Sequence, residues 1–184
     1  MAYDPFSDKA AENFLEGSAT AAKWPKVGHM VEGTVTSFTM AQQTDYDTSE
    51  PLFWEGKKRV IESKAADKSR PVMQLLLEIQ GEPTGETWEG LQNTRVELPD
   101  DDGMRTLYVK GGLQASLKQA LKTAQARLEV GAYVKVRRIE DGPKSNPKFA
   151  APHRYASEWT PASKNPRAVS SFMEEGSSEE NPWA

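Results

Sequence analysis

A single segment has the apolar spacing of a helix, and the other apolar segments of the chain have the pattern of strands. Of all the sequence features, this one restricts the possible folds most. Apolar residues recur at the spacing of one helix face at Leu113, Leu117, Ala120, Leu121, Ala124 and Leu128. Glycines at 111 and 112 precede this segment, and Gly131 follows it. We therefore predict a single helix that ends near residue 131, in a protein that is otherwise mainly β.

Runs rich in β-branched and aromatic residues predict the strands. In chain order these runs lie at 27–40, 72–79, 95–98, 106–110, 133–139 and 155–159. The residues from Pro99 to Gly103 favour a tight turn, so the third and fourth runs are expected to form a hairpin. Residues 81–90 are expected to be turn-rich.

The helix falls late in the chain, between two strands. This order is typical of the OB fold, so we predict a five-stranded OB-type β-barrel with the helix between strands 3 and 4 and with disordered termini. The competing prediction is an α+β domain with an open antiparallel sheet. An OB barrel binds oligonucleotides with the loops that follow its first and fourth strands, which here are residues 41–71 and 140–154.

Charge divides the chain into three parts. The net charge is -4, but residues 1–22 carry one base and four acids, and residues 172–184 carry four acids and no base. The middle is therefore basic, with stretches at 57–70 and 135–171 that overlap the two loops. We expect an N-terminal arm at 1–22, an OB-fold domain at 23–160 and a flexible acidic tail at 161–184, which lacks apolar periodicity.

The composition argues against several classes of protein. The sequence has no cysteine, which excludes disulfides, thiolate zinc sites and a cysteine nucleophile. Neither a signal-peptide pattern nor an apolar segment of roughly 20 residues is found, so we expect a cytoplasmic protein without membrane contact.

Motifs for catalysis are also missing. His29 and His153 lie in different segments, and the sequence has no P-loop and no nucleophile elbow. The three aspartates at 100–102 are expected to form a solvated turn rather than a metal site. We expect no enzyme activity, no catalytic residue, no metal and no cofactor.

Single-strand binding needs cations that follow the phosphates and aromatic faces that stack on bases. Both occur in or near the two loops, and the predicted nucleic-acid-binding residues are Trp54, Lys57, Lys58, Arg59, Tyr108, Lys110, Lys135, Arg137, Lys144, Lys148, Phe149, Arg154, Tyr155 and Trp159. A role in the core or in anchoring a loop is the alternative for each aromatic. Phe53 and Trp54 are adjacent, so in an extended segment at most one of them faces a ligand.

The C-terminal segment ends in acids followed by an aromatic. Glu179 and Glu180 precede Asn181, Pro182 and Trp183. An exposed tryptophan on a flexible charged segment usually marks a docking peptide. We therefore predict that Glu179, Glu180, Pro182 and Trp183 bind a partner protein.

This organisation resembles that of the single-stranded DNA-binding proteins of bacteria and their phages. Those families join an OB barrel to an acidic tail with a terminal aromatic, and Pro182 and Trp183 match that motif. The blocks at 43–54 and 146–149 look like those of phage-encoded members. The resemblance implies that the tail docks replication and repair proteins and can compete with DNA for the basic groove.

The predicted function is sequence-nonspecific binding and protection of single-stranded DNA in replication or recombination, with partners recruited by the tail. If the chain is phage-encoded, its compartment is the host cytoplasm. A homo-oligomer is left open. The alternative is an OB-type protein-interaction adaptor of a replisome or virion that binds no nucleic acid. Salt separates the two, because phosphate binding weakens steeply as salt rises.

Overall fold

The computed structural model describes residues 20–148 and 150–167. Within these residues it has ten strands and one α-helix. In chain order they are β1 Thr20–Ala21, β2 Met30–Gln42, β3 Leu52–Glu55, β4 Lys58–Ile61, β5 Met73–Gln80, β6 Glu86–Glu89, β7 Thr94–Glu97, β8 Met104–Val109, α1 Gly111–Thr123, β9 Tyr133–Asp141 and β10 His153–Thr160. Short 3-10 turns lie at Glu62–Lys64 and Ala162–Lys164.

Six strands form one sheet in the order β1-β8-β5-β2-β9-β10, and the other four form the hairpins β3-β4 and β6-β7. The long strand β2 serves both halves of the sheet. Its residues 30–34 pair with β9, and residues 34–42 pair with β5. The register shifts between Val35 and Ser37, which marks a bulge that bends the strand between its two partners.

A mainly β protein with one helix is confirmed, and its sheet is open. No ladder joins β1 or β8 to β10 among the described residues. The two edges still approach each other, since the Trp24 ring meets the Tyr155 ring of β10 at 5.3 Å between centroids. Trp24 also donates its Nε1 hydrogen to the Val136 carbonyl oxygen at 3.0 Å. The segment after β1 therefore crosses from one edge of the sheet to the other.

The core lies between one face of the sheet and α1. Its buried cluster comprises Val35, Leu77, Ile79, Leu107, Val109, Leu113, Leu117, Ala120, Ala132, Val134, Val136 and Trp159. Each fully buried aliphatic side chain of this size stabilises the fold by about 1.5–3 kcal/mol. The Oγ atoms of Ser116 and Ser157, 2.6 Å apart, also fasten α1 to β10.

The helix is shorter than predicted. α1 ends at Thr123, so the predicted end near residue 131 is wrong. Gln125 has a φ of 51°, a left-handed conformation that a helix interior excludes. Ala126 and Leu128 still pack against the core from the segment that follows the helix. That packing explains why the apolar spacing continues beyond the helix end.

The predicted hairpin between 95–98 and 106–110 is also wrong. β7 pairs with β6, in the segment expected to be turn-rich, whereas β8 pairs with β5 and β1. Gly90 and Asn93 have φ values of 69° and 52°, and these left-handed residues form the turn between β6 and β7. The turn at 99–103 therefore connects two different sheets.

The folded domain extends further than predicted at both ends. Ala22 donates its backbone N–H to the Thr106 carbonyl oxygen at 2.8 Å, so residues 20–22 belong to the sheet rather than to the arm. Asn165 is 1% exposed, and its Nδ2 donates to the Gly131 carbonyl oxygen at 2.8 Å. Residues 161–167 thus pack on the domain. The rest of the predicted tail, and residues 1–19 of the arm, lie outside the described residues.

Candidate nucleic-acid interface

The β3-β4 hairpin, residues 52–61, carries the first group of predicted residues and is called the basic hairpin below. Its register pairs Trp54 with Arg59 and Glu55 with Lys58. Cross-strand partners share a face of the hairpin, so Trp54 and Arg59 lie on the same face. Phe53 points to the other face and is 8% exposed, while Trp54 is only partly buried. The predicted alternation of these two aromatics is confirmed.

Backbone hydrogen bonds hold the basic hairpin at the ends of β2 and β5. Trp54 donates its N–H to the Arg70 carbonyl oxygen at 2.8 Å. Val72 donates to the Leu52 carbonyl oxygen at 2.9 Å. The insertion that was expected to be an irregular loop therefore contains an ordered extension of the sheet.

Tyr108 lies on an exposed stretch of the sheet. Tyr108 on β8, Leu76 on β5 and Thr39 on β2 are direct cross-strand partners. They share the outer face, opposite to the face that buries Leu77 and Leu107. Tyr108 is 43% exposed, so its ring is accessible to a stacking partner.

The loop at 142–152 approaches the same end of the sheet. A Cβ atom on Gly112 would lie 2.8 Å from the His153 carbonyl oxygen, so the start of α1 touches the start of β10. Lys110 immediately precedes α1 and therefore lies near the end of this loop, which carries Lys144 and Lys148. β8 ends beside the first residues of β5, where the basic hairpin is attached. The two predicted loops thus flank one end of the sheet.

Six of the predicted cations are exposed and make no ion pair in the part of the chain that the structure describes. They are Lys57, Lys58, Arg59, Lys110, Lys144 and Lys148. Because no carboxylate there neutralises them, they are available to an anion. We call these six residues the cation set.

The other predicted cations differ from the cation set in position or in pairing. Lys135 and Arg137 pair with the first half of β2, about 30–40 Å from the basic hairpin along a strand that rises about 3.3 Å per residue. The Lys135 Nζ lies 3.8 Å from a Glu32 carboxylate oxygen. Arg154 lies beside Gly142, in the loop that carries Lys144 and Lys148, but it forms an ion pair with Glu140 at 2.8 Å. The structure does not bring Lys135 and Arg137 together with the cation set.

Two predicted aromatics are built into the fold. Trp159 is 6% exposed and pairs with Val134 in the core, so no base can stack on it. Tyr155 is partly buried, with its ring beside those of Trp24 and His153. Trp159 and Tyr155 therefore pack in the core or anchor neighbouring segments, which was the predicted alternative to base stacking for each aromatic. The predicted residues outside the described part of the chain are Phe149, Glu179, Glu180, Pro182 and Trp183.

Sequence reasoning missed an apolar stripe on the opposite face of the β2-β5 ribbon. Phe38, Met40 and Met73 are 40%, 59% and 42% exposed. Phe38 is the cross-strand partner of the buried Leu77, so the stripe continues the core face beyond the core itself. The alternation of apolar residues at 38–40 predicts the strand β2. The sequence does not show at which residue of β2 the covering core ends and the same face becomes exposed.

The β6-β7 hairpin, residues 86–97, is called the acidic hairpin below, and a charged clamp lies at its base. The two carboxylate oxygens of Asp101 each accept a 2.7 Å hydrogen bond from the Arg105 guanidinium. The backbone N–H groups of Thr84 and Gly85 donate to the same carboxylate. The hydrogen bonds from Arg105 hold the pKa of Asp101 well below its usual value. Asp101 is therefore a structural residue, and not part of a solvated turn.

Both histidines are partly buried. The His29 ring meets the Trp88 ring of the acidic hairpin at 4.8 Å between centroids. Burial lowers the pKa of His29, and it lowers the pKa of His153 in the same way. Among the residues described, no group of three or more His, Cys, Asp and Glu side chains is arranged to hold a metal ion.

The chain matches no protein-family model, and comparison with curated proteins and with solved structures likewise finds no match. In the ranges 20–148 and 150–167, no helix has both the length and the apolar character needed to cross a bilayer. The candidate interface is therefore defined by its own residues.

Proposed function

We propose that this chain binds single-stranded DNA without sequence specificity, in replication or recombination. The observation that carries the proposal is the cation set, six exposed residues without a described ion pair on the elements that flank one end of the sheet, together with the accessible Trp54 and Tyr108. Cations that follow the backbone and aromatic faces that accept bases are the two requirements of sequence-tolerant binding, with about 1–3 kcal/mol for each stacked base.

The proposed path of the single-stranded DNA crosses the outer face of β8 and β5. Lys57, Lys58 and Arg59 hold phosphates on one side, and Lys110 with the loop at 142–152 holds them on the other. Trp54 and Tyr108 stack on bases between these cations. Neither aromatic reads the hydrogen-bonding edge of a base, so binding is insensitive to sequence.

We propose that the sheet is an OB-type barrel that is left partly open. Its five long strands are β2, β5, β8, β9 and β10, and α1 follows the third of them. The OB fold is a partly open Greek-key barrel that uses the loops after its first and fourth strands for oligonucleotides. Here the basic hairpin and the loop at 142–152 occupy those two places.

The acidic end of the chain completes the proposal. By resemblance to the single-stranded DNA-binding proteins of bacteria and phages, the segment that ends in Pro182 and Trp183 recruits replication or recombination proteins. The protein then protects the strand and brings its partners to it.

Fluorescence anisotropy of a labelled poly-dT oligonucleotide, titrated with the full chain at low and at high salt, tests the proposal. We expect tight binding at low salt that weakens steeply as salt rises, and much weaker binding to duplex of the same length. A chain that ends at Arg167 keeps residues 20–148 and 150–167, which the structure describes, and should bind the oligonucleotide as well or better. Absence of binding at low salt by both chains contradicts the proposed function.

A protein-interaction adaptor is the second candidate, and the apolar stripe favours it. Phe38, Met40 and Met73 form a row of exposed apolar side chains of the kind that docks protein segments. The same titration separates the two functions, because an adaptor leaves the anisotropy of poly-dT unchanged at every salt concentration.

A further inference from the structure

The second half of β2, residues 36–42, has a strand partner on one side only, and we call its open side the β2 edge. β5 pairs with this half, whereas β9 pairs only with residues 30–34. The last backbone hydrogen bonds described on the β9 side join Val35 to Gly131 and Ala132. Residues 36–40 are exposed one after another, although a core strand normally buries every second residue. No described strand pairs with the β2 edge.

The register of β2 identifies the backbone groups that point to the β2 edge. Gln43 donates its N–H to the carbonyl oxygen of Val72, the residue before β5, at 2.7 Å. Backbone groups of successive strand residues point alternately to the two sides of the strand, and the register between β2 and β5 is regular from residue 37 to residue 42. Phe38 and Met40 therefore direct their N–H and C=O groups away from β5, towards the open side.

The β2 edge lacks the features that keep strand edges of separate molecules apart. Proteins place charged residues or proline on exposed edges, because an open edge otherwise pairs with another chain. Residues 33–44 contain no charged residue and no proline. By contrast β10, which lies at the border of the same sheet, carries Arg154 and Glu158. The composition of the β2 edge is therefore that of a strand with a partner.

The β2 edge is complementary to a second copy of itself. In an antiparallel pair centred on Thr39, Phe38 lies opposite Met40 of the other copy, and these two residues have the backbone groups that point outward. The same pairing joins the apolar stripes of the two copies on the inner face. The exposed side chains at 36–40 and at Met73 amount to about 500 Å² on each copy, so the pair buries on the order of 1,000 Å², the lower end for a specific interface.

We propose that two copies of this chain pair antiparallel through residues 37–41 of β2 and form a two-fold dimer with one continuous sheet. Both copies contribute the same surface, so the contact closes after two copies. Backbone hydrogen bonds of Phe38 and Met40 hold the two strands together, and the apolar stripes pack beside them. The outer faces that carry Tyr108 then lie side by side. The dimer goes beyond the proposed function, because it forms without nucleic acid.

Cysteine cross-linking tests the pairing and its register, because the chain has no cysteine of its own. Thr39→Cys places two thiols at a non-hydrogen-bonded pair, whose Cα atoms lie about 4.5 Å apart, within the range for a disulfide. Ser37→Cys is the matched control on the same exposed face, but its two copies lie about 13 Å apart along the strands. After mild oxidation of the full chain, we expect a disulfide dimer from Thr39→Cys and about tenfold less, or none, from Ser37→Cys.

Sedimentation velocity of the full chain without nucleic acid measures the strength of the contact. An interface of this size should give a dimer with a dissociation constant of roughly micromolar order. Thr39→Lys places like charges opposite each other and should weaken the dimer about tenfold or more. Thr94→Lys makes the same charge change at an exposed threonine of β7 and should associate like the wild type. Circular dichroism should show that each variant is folded.

Three results overturn the dimer. They are a wild type that stays monomeric at about 100 µM, a Thr39→Lys variant that associates like the wild type, and a Ser37→Cys variant that cross-links as readily as Thr39→Cys. Failure of the wild type to bind poly-dT contradicts the proposed function but leaves the dimer unaffected, because neither experiment contains nucleic acid.

Discussion

The basic and acidic hairpins are built on one local pattern and differ mainly in charge. Each has a Trp-Glu-Gly run that leads into the turn and an Arg-Val pair on the return strand. In both, the tryptophan and the arginine are cross-strand partners: Trp54 with Arg59, and Trp88 with Arg95. Residues 52–61 carry three bases and one acid, whereas residues 86–97 carry one base and three acids. The same scaffold thus presents opposite charges.

The two hairpins are also attached by different forces. The basic hairpin is joined to the sheet by backbone hydrogen bonds and by the buried Phe53. The acidic hairpin has Thr87 at the place of that phenylalanine, and it depends on the Asp101 clamp and on the contact between Trp88 and His29. The difference teaches that one local pattern can present opposite charges, while the anchor of each hairpin decides how its stability responds to mutation and pH.

The largest expected effect comes from breaking the clamp of the acidic hairpin. Asp101→Asn removes the charge and leaves Arg105, whose side chain is 12% exposed, without its carboxylate. Removing one partner of a buried ion pair costs about 3–5 kcal/mol, and we expect about 3 kcal/mol here because one side reaches solvent. Urea unfolding at pH 7 measures the loss. Asp100→Asn, at an exposed position, is the control and should stay within about 0.5 kcal/mol of the wild type.

The lowered pKa of Asp101 fixes the sign of its pH dependence. A carboxyl group with a depressed pKa stabilises the fold above its unfolded pKa, about 3.9, and this stabilisation is lost as pH falls towards the folded value. The wild type should therefore lose stability more steeply than Asp101→Asn below about pH 4. Equal slopes for the two proteins in this range contradict the role given to the clamp.

Reversing the charge of the basic hairpin is the next largest effect. Lys57→Glu/Lys58→Glu/Arg59→Glu should weaken poly-dT binding on the order of 100-fold at low salt, since three phosphate contacts are lost. The slope of log affinity against log salt should fall by about 2, because each contact to a single strand contributes about 0.7. Anisotropy at several salt concentrations measures both quantities.

The acidic hairpin supplies the control for this reversal. Glu89→Lys/Glu97→Lys changes charge on the same scaffold, and should leave the affinity for a short oligonucleotide unchanged or slightly higher. Equal losses of poly-dT affinity for the two hairpin variants would place the bound DNA elsewhere on the protein.

Much of the fold follows from periodicity. The leucine repeat locates α1, β-branched alternation locates β2 and β9, and a continuous apolar run locates β5, because one face of each of these segments is buried in the core. The partner of β7 could not be predicted, since Gly90 and Asn93 select it through backbone conformation. The bulge after Val35 is equally hidden, because a single extra residue leaves no mark on composition.

The candidate site is predictable only in part, because the exposure and the pairing of its residues depend on the register of the strands. Exposure separates Trp54 from Trp159, yet each lies in a strand directly beside a glutamate, Glu55 or Glu158. Trp159 is buried because β10 pairs it with Val134, and that register depends on the whole sheet. Lys58 and Lys135 each have a glutamate as cross-strand partner, Glu55 and Glu32. Among the described residues Lys135 forms an ion pair with its partner and Lys58 does not, and Glu32 is more than 100 residues from Lys135 in the chain.

Exchanging the two matched tryptophans for alanine should separate binding from folding. Trp54→Ala removes one stacking face, which corresponds to about 1–3 kcal/mol, so poly-dT affinity should fall about tenfold. Trp88→Ala removes the contact with His29 and should lower the free energy of unfolding with little effect on that affinity. Anisotropy and urea unfolding on both variants give the comparison. An unchanged affinity for Trp54→Ala removes this residue from the proposed path.

The smallest effect concerns His29, whose ring packs against Trp88 of the acidic hairpin. Burial lowers the pKa of His29, Lys26 lowers it further, and Glu86 opposes them. A histidine with a lowered pKa stabilises the fold fully above its unfolded pKa of about 6.5, and this contribution is lost as pH falls through the folded value. The urea midpoint should therefore decrease on acidification below about pH 6.5, well before Asp101 titrates. His29→Gln should flatten this decrease, leaving the part due to His153, which has its own lowered pKa. If His29→Gln keeps the full wild-type slope while His153→Gln removes it, His29 does not contribute to this pH dependence, and Asp101 is then the group through which pH acts on the acidic hairpin.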